Sequence, residues 1–302
     1  MRRLLLSLLM LLAPLLPGAD ALADDRLPAY LLELPESVGD VFIADAANAT
    51  IYRFARTPAG ISLANQGYVS IGQNGVGKQR AGDRKTPLGI YFVVDQLDTS
   101  RMHEQYGVTA FPLDYPNVLD RRRERGGDGI WVHGVEAGNG QRSPLATDGC
   151  LALPNTDLLA LEQKLVPLVT PVIVTRDMEW QEPAMRDALR VELRGAVEQW
   201  ADALAANDVH TYLSMYAGEF SYRGIMLSEW ASFQVQTLER RGEVDVTVDD
   251  LLLLAEPEEK ELYLSRFRQT MTEGETTSVT TKRLYWKRNA EGKLKIIAED
   301  NG

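Results

Sequence analysis

One cysteine, Cys150, serves the whole chain, and the residues at the start of the sequence decide what that means. Met1-Arg2-Arg3 is followed by an apolar run from Leu4 to Leu16, then Pro17-Gly18-Ala19-Asp20 and the small-residue site Ala21-Leu22-Ala23 before Asp24-Asp25. A basic start, a short apolar stretch and a small-residue cleavage site are the three parts of a secretory signal peptide. The run is too short to span a bilayer, so the sequence predicts cleavage near Ala23, a periplasmic location and no stable membrane anchor afterwards. A chain exported into a compartment that permits disulfides, yet carrying a single thiol, has to hold its fold by burial alone. Cys150 then needs its own account, because a free Cys is often a small buried hydrophobe.

Beyond residue 23 about 280 residues remain, enough for two units each with its own core. We place them at 24–180 and 183–302. The formal net charge of -11 argues against nucleic acid or anionic lipid as the main partner, since both are bound chiefly through Lys and Arg.

The first unit reads as strands: Val41-Phe42-Ile43, Thr50 to Phe54, Tyr68 to Ile71, Gly89 to Val94, Gly129 to His133 and Pro171 to Val174, with Gly, Asn and Pro clusters between them. A helix lies between the last two strands, where Asn155-Thr156-Asp157 precedes Leu158, Leu159, Leu161 and Leu165; Asn155 is expected to cap it. After Glu182-Pro183 the period changes. Leu189, Leu193, Val197, Trp200 and Leu204 mark an amphipathic helix, followed by shorter helices near 209–216 and 227–239 and by strands near 244–254, 262–270, 278–287 and 294–299. Helices followed by an antiparallel sheet make an α+β unit.

Around Cys150 the residue types suit acyl transfer. Ile130-Trp131-Val132-His133-Gly134 puts a His at a strand end, and Thr147-Asp148-Gly149-Cys150 puts the thiol just after a glycine. An imidazole within hydrogen-bond reach would raise the thiolate share and later return the proton to a leaving amine. The turn can aim the backbone N–H groups of Gly149 and Cys150 at one oxyanion. The carbonyl of Gly134 is the available acceptor to hold the imidazole in one tautomer.

In these residues the chain resembles the L,D-transpeptidase catalytic domain, also called the YkuD-type domain, over roughly Asp40 to Arg176. That signature is a His followed, after a loop, by Ser or Thr, His, Gly and Cys; here it is His133 and then Thr147-Asp148-Gly149-Cys150, preceded by Thr86-Pro87-Leu88-Gly89 like the Thr-Pro-x-Gly strand start of the family. The resemblance implies a β-sandwich with a helix, His133 as general base, Gly134 as carbonyl partner of its imidazole, and Cys150 as the residue that forms a thioester with peptidoglycan stem peptide. Two positions depart from the family: Asp148 stands where it has His, and Ala152 where it often has Asn or Arg, which leaves the acceptor open. Thr147 and Asp148 are then expected to contact substrate, as is Tyr115 in the Tyr115-Pro116-Asn117 segment, which resembles a cleft-wall loop of the family.

The second unit resembles the cone-shaped nuclear transport factor 2-like fold, through Trp200, Ala201-Asp202, Tyr212, Tyr216, Phe220, Trp230 and the late strands with Phe267 and Tyr285-Trp286. That fold can be catalytic or merely adhesive; with no acid/base cluster in this stretch a binding role is expected, for glycan, peptide or a second subunit, with homodimerisation through this domain left open, while each aromatic residue taken singly reads as core. The dense run Arg121-Arg122-Arg123-Glu124-Arg125 reads as a solvated loop face, and His103 as a surface residue. His210 has no Cys or carboxylate at ligand spacing, and with three His in all neither a metal nor an organic cofactor is expected.

The sequence thus predicts a mostly β catalytic domain plus an α+β cone. Its expected activity is cleavage of the meso-diaminopimelate to D-alanine bond of tetrapeptide stems and acyl transfer to an amine. Water as acceptor, giving an L,D-carboxypeptidase, is the alternative, and a wall-binding protein without catalysis is the rival from another class.

Overall fold

The computed structural model describes residues 26–138 and 140–302, so the expected signal peptide lies outside the described residues. The fold is the predicted one in outline, a strand-rich sandwich followed by an α+β cone. Among the described residues no helix is long and apolar enough to cross a membrane.

Two strands, Asp40–Asp45 and Pro171–Thr175, are buried almost throughout and pair in parallel near the centre of a five-stranded sheet. Across it the order is Gly60–Tyr68, Thr50–Thr57, Asp40–Asp45, Pro171–Thr175, Gly89–Phe92. Side chains alternate between the faces of a strand, so a strand apolar at successive positions has two faces to cover. On one face Phe42, Ala44, Tyr91, Val172 and Val174 share a core with Phe111, Val132 and Leu151 and with Leu158 and Leu161 of the helix Asn155–Leu161. Phe111, Val132 and Leu151 belong to a small sheet ordered Leu151–Ala152, Trp131–His133, Ala110–Pro112, which completes the sandwich.

The opposite face, Val41, Ile43, Ile90, Phe92 and Ile173, shares a second core with Leu252, Leu254, Leu262, Leu264 and Tyr285 of the C-terminal sheet. That sheet runs Leu294–Asn301, Thr276–Arg288, Leu262–Glu273, Val244–Ala255, and ends on Leu31–Glu33. The last strand comes from the segment expected in the first domain, so the chain crosses to the second sheet before building the first. On its far side Leu251, Leu253, Leu284 and Trp286 meet the helix Pro183–Ala205 and the shorter helices Val209–Ser214 and Leu227–Arg240.

The aromatic residues through which the second unit resembles a binding cone are its core. Trp200, Tyr212, Tyr216, Phe220, Trp230 and Phe267 are all buried and stack on one another. Their polar heads are satisfied internally: Trp200 Nε1–H donates to Tyr216 O at 3.0 Å, and Tyr216 O–H to Glu299 at 3.1 Å, whose other oxygen takes Lys282 at 3.0 Å. Burial of satisfied aromatic side chains explains them without a ligand.

The basic run 121–125 is not a solvated face. The helix Val118–Arg122 carries it to the domain boundary, where Arg123 meets Glu259 at 2.7 Å and Glu258 at 3.2 Å, and Arg125 meets Glu258 at 2.5 Å. Arg122 donates to the Ser221 hydroxyl at 2.8 Å. A second clamp joins Arg283 to Asp114 at 2.6 Å while Asp114 accepts the Phe92 N–H at 2.8 Å. Behind the first clamp Glu256 is buried, its Oε1 without a hydrogen bond and 3.9 Å from Arg123. Burial pushes its carboxyl up to about 8, the Arg123 guanidinium pulling the other way.

Two predictions follow from this boundary. Ile173 is fully buried between the sheets, and Ile173→Ala should cost about 2–5 kcal/mol while calorimetry still shows one transition, because the core between the two sheets is built from both domains; two separated transitions would contradict a shared core. The raised Glu256 carboxyl favours the folded state in its protonated form, so its contribution is complete below the usual carboxylate range and is lost as pH rises through about 8. Glu256→Gln should therefore flatten the decline of melting temperature between pH 5 and pH 9, roughly the window of that titration.

Candidate functional site

Strand pairing brings His133 and Cys150 together. Trp131–His133 and Leu151–Ala152 are parallel, with Leu151 opposite Val132 and Ala152 opposite His133. Period-two alternation then puts Cys150, one residue before Leu151, on the same face as His133 and Trp131. Both side chains line a cleft of about 790 Å³.

The turn before Cys150 is held from within. Thr147 Oγ1 accepts the Gly149 N–H at 3.1 Å and donates to the Cys150 carbonyl at 2.8 Å. Gly149 has φ +129, and a Cβ there would lie 2.7 Å from the Lys85 carbonyl oxygen, so no larger residue fits. Sγ of Cys150 lies 3.3 Å from the Gly129 carbonyl, to which the thiol donates. Burial pushes the thiol up to about 11, the Trp131 backbone N–H pulling down and Asp148 adding to the rise.

His133 is buried and contacts the Gly134 carbonyl through Nδ1 at 2.6 Å. Since a carbonyl only accepts, Nδ1 carries the proton and Nε2 keeps the lone pair. Burial pushes the imidazole down to about 4, with the Gly134 carbonyl opposing. Burial thus favours the uncharged form of each group and opposes the rise in thiolate share expected from the imidazole. The ring of Tyr106 meets the imidazole edge-on, centroids 5.3 Å apart, and leans on Trp131 at 4.8 Å.

Charges of both signs surround the pair. Lys78, Arg84 and Arg142 line the cleft, as do Asp128, Glu136 and Asp148. Arg142 meets Glu136 at 2.8 Å and the Gln105 carbonyl at 2.7 Å. Lys78, 3% exposed, donates to Asp83 at 2.9 Å. Arg84 and Asp148 stand 3.5 Å apart at the rim, both solvent-exposed.

Several expected site residues are placed differently. Thr147 lines the cleft, but its hydroxyl is used in the turn. Asp148 does reach the cleft. Tyr115 does not: it is buried beside Tyr91 at 5.8 Å with its hydroxyl donating to the Gly126 carbonyl at 2.9 Å, so it packs under the loop instead of facing substrate. Asn155 is no helix cap; the N-cap position is Pro154, and the Asn155 amide bonds the backbone of Val135 instead. His103 is exposed, accepting the Gln105 N–H through Nδ1 at 3.3 Å. Tyr106, Lys78 and Arg142 were missed because nothing in the local sequence around them marks which side chains the fold turns toward Cys150; Tyr106 and Lys78 are also remote from it in sequence.

Residues 40–174 match the model of the L,D-transpeptidase catalytic domain, and residues 192–300 that of the Cds6 C-terminal NTF2-like domain. No match was found among curated proteins. Among solved structures, Bd1075 of Bdellovibrio bacteriovorus is similar with TM-score 0.77 and 24% identity, over 92% of this chain and 98% of that one. The helical cell shape determining protein Pgp2 of Campylobacter jejuni is similar with TM-score 0.76 and 23% identity, over 90% of this chain and 95% of that one. At these identities the likeness establishes a shared two-domain fold. With both family matches laid over the sheets and the cleft described above, the chain is an L,D-transpeptidase catalytic domain joined to an NTF2-like domain.

Proposed function

We propose that this chain is a periplasmic cysteine enzyme acting on the peptide stems of peptidoglycan, with Cys150 as nucleophile and His133 as base. The observation that carries the proposal is a thiol and an imidazole on one face of paired strands, lining one open cleft, with the imidazole Nδ1–H engaged by the Gly134 carbonyl. That bond leaves Nε2 available as the base. The basic and apolar start of the chain supports export, and the likeness to a helical cell shape determining protein supports a role in cell shape.

The proposed scissile bond joins meso-diaminopimelate to D-alanine. Sγ attacks the carbonyl carbon as the thiol proton passes to His133 Nε2; the carbon–nitrogen bond then breaks, and the imidazolium proton leaves with the D-alanine amine. Burial that raises the thiol and lowers the imidazole favours proton transfer in concert with the attack over a thiolate formed beforehand. The Gly149 N–H is occupied by Thr147, which makes the Cys150 N–H the principal proposed oxyanion donor. The thioester passes to an amine, giving a crosslink or a protein attachment, or to water, giving a tripeptide stem. Ala152, opposite His133, presents no polar side chain to hold an amine there, which favours water.

Incubating the purified enzyme with disaccharide-tetrapeptide tests this. Tripeptide with released D-alanine is expected, dimers would favour the amine acceptor, and Cys150→Ala should lower either product by at least about a thousandfold. Turnover surviving in Cys150→Ala would rule out Cys150 as the nucleophile, whereas a Cys150→Ala protein that binds peptidoglycan as well as wild type and complements a deletion as fully would leave a wall-binding protein as the better account. A thiol held near 11 also predicts that alkylation of Cys150 by iodoacetamide accelerates by about tenfold per pH unit between pH 7 and pH 10. A plateau below pH 7 would mean a preformed ion pair and a different mechanism.

A further inference from the structure

The peptide unit between Gly134 and Val135 is gripped at both ends. Its carbonyl meets His133 Nδ1 at 2.6 Å, and its N–H donates to Asn155 Oδ1 at 2.9 Å. The Asn155 Nδ2 group in turn donates to the Val135 carbonyl at 2.8 Å. One backbone donor and one backbone acceptor thus define which end of the amide is which. The side chain fits so closely that a Cβ on Gly134 or on Gly107 would collide with its oxygen. The backbone on either side is also engaged: the Gly134 N–H donates to the Tyr106 carbonyl at 3.1 Å, and the Leu153 N–H to the His133 carbonyl at 2.9 Å.

We propose that Asn155 is a positioning residue for His133, acting through the 134–135 peptide. Rotation of that peptide would swing its carbonyl away from Nδ1; besides the His133 bond itself, the side chain that opposes the rotation is Asn155, which holds the peptide's N–H and the next carbonyl along. By accepting from the N–H, Asn155 also polarises the same peptide, which makes its carbonyl the stronger acceptor for the imidazole. The chain Asn155 to peptide to His133 therefore does for this imidazole what a carboxylate does in a serine protease: it selects the Nδ1–H tautomer and presents Nε2 to the thiol. The inference rests on His133 being the base proposed above, but the tautomer can be read without turnover.

The test combines kinetics on disaccharide-tetrapeptide with long-range proton–nitrogen NMR of the His ring nitrogens at pH 7, where a ring held near 4 is neutral; His133→Gln in a parallel sample assigns its signals among the three histidines. Wild type is expected to show the Nδ1–H tautomer alone. Asn155→Ala should show both tautomers, with kcat reduced roughly 10- to 100-fold and KM within about twofold. Asn155→Asp keeps an acceptor for the Val135 N–H and should retain the single tautomer and most of kcat. An Asn155→Ala protein that melts earlier yet keeps the single tautomer and kcat would reduce Asn155 to a structural residue and overturn the proposal. Should that variant fail to fold, Asn155→Asp decides alone, and tautomer mixing there also overturns it. If wild type turns over no stem peptide while Asn155→Ala still mixes the tautomers, the proposed function fails and the positioning role stands.

Discussion

The structure depends on a sheet that must be covered twice. Asp40–Asp45 and Pro171–Thr175 bury alternate residues in opposite directions, Phe42, Ala44, Val172 and Val174 into the sandwich and Val41, Ile43 and Ile173 toward the C-terminal sheet. Neither face can be left in water without exposing an apolar surface of the kind that otherwise marks an interface. The second domain is therefore part of what makes the first one soluble. It is held there by Arg123 and Arg125 on one side and Arg283 with Asp114 on the other, which set the alignment of two apolar surfaces that have little direction of their own.

A rigid sheet fixes the small sheet packed on its inner face, and the small sheet fixes the cleft. Val132 and Leu151, opposite one another in the parallel pair, point into the core and anchor their neighbours. His133 and Cys150 are those neighbours, forced to the other face by the pleat. The convergence of an imidazole and a thiol on neighbouring strands thus comes from core packing one residue away from each. Precision of this kind is easier to hold on strands than on loops.

Protein surroundings tune the pair toward neutrality. Lost hydration disfavours thiolate and imidazolium alike, and the partial compensation from the Trp131 N–H and the Gly134 carbonyl leaves both below full offset. What the imidazole does need is orientation. The Gly134–Val135 peptide supplies it, and the two glycines at 107 and 134 leave the space that the Asn155 amide fills.

Much of this was legible from one dimension. The alternation and turn residues located the principal strands and helices, because apolar periodicity is a local property, and His133 with Thr147-Asp148-Gly149-Cys150 marked the candidate site because a Cys after a glycine turn is a local pattern. Gly60–Tyr68 escaped notice, since an exposed strand without apolar alternation carries no such mark. The segments 41–43 and 171–174 were read only as strands; that both of their faces are buried, and what covers the second, was decided by distant residues, and so was the transfer of Leu31–Glu33 to the far sheet. The arginine run at 121–125 looked like surface because charge in a sequence does not reveal its partners; Glu258 and Glu259 lie far along the chain and meet it only after folding. Tyr115 and Asn155 were misplaced for the same reason. A side chain's chemistry is set by its type, but its task is set by what the fold brings within 3 Å of it, roughly the reach of a hydrogen bond, and that is a property of tertiary structure alone.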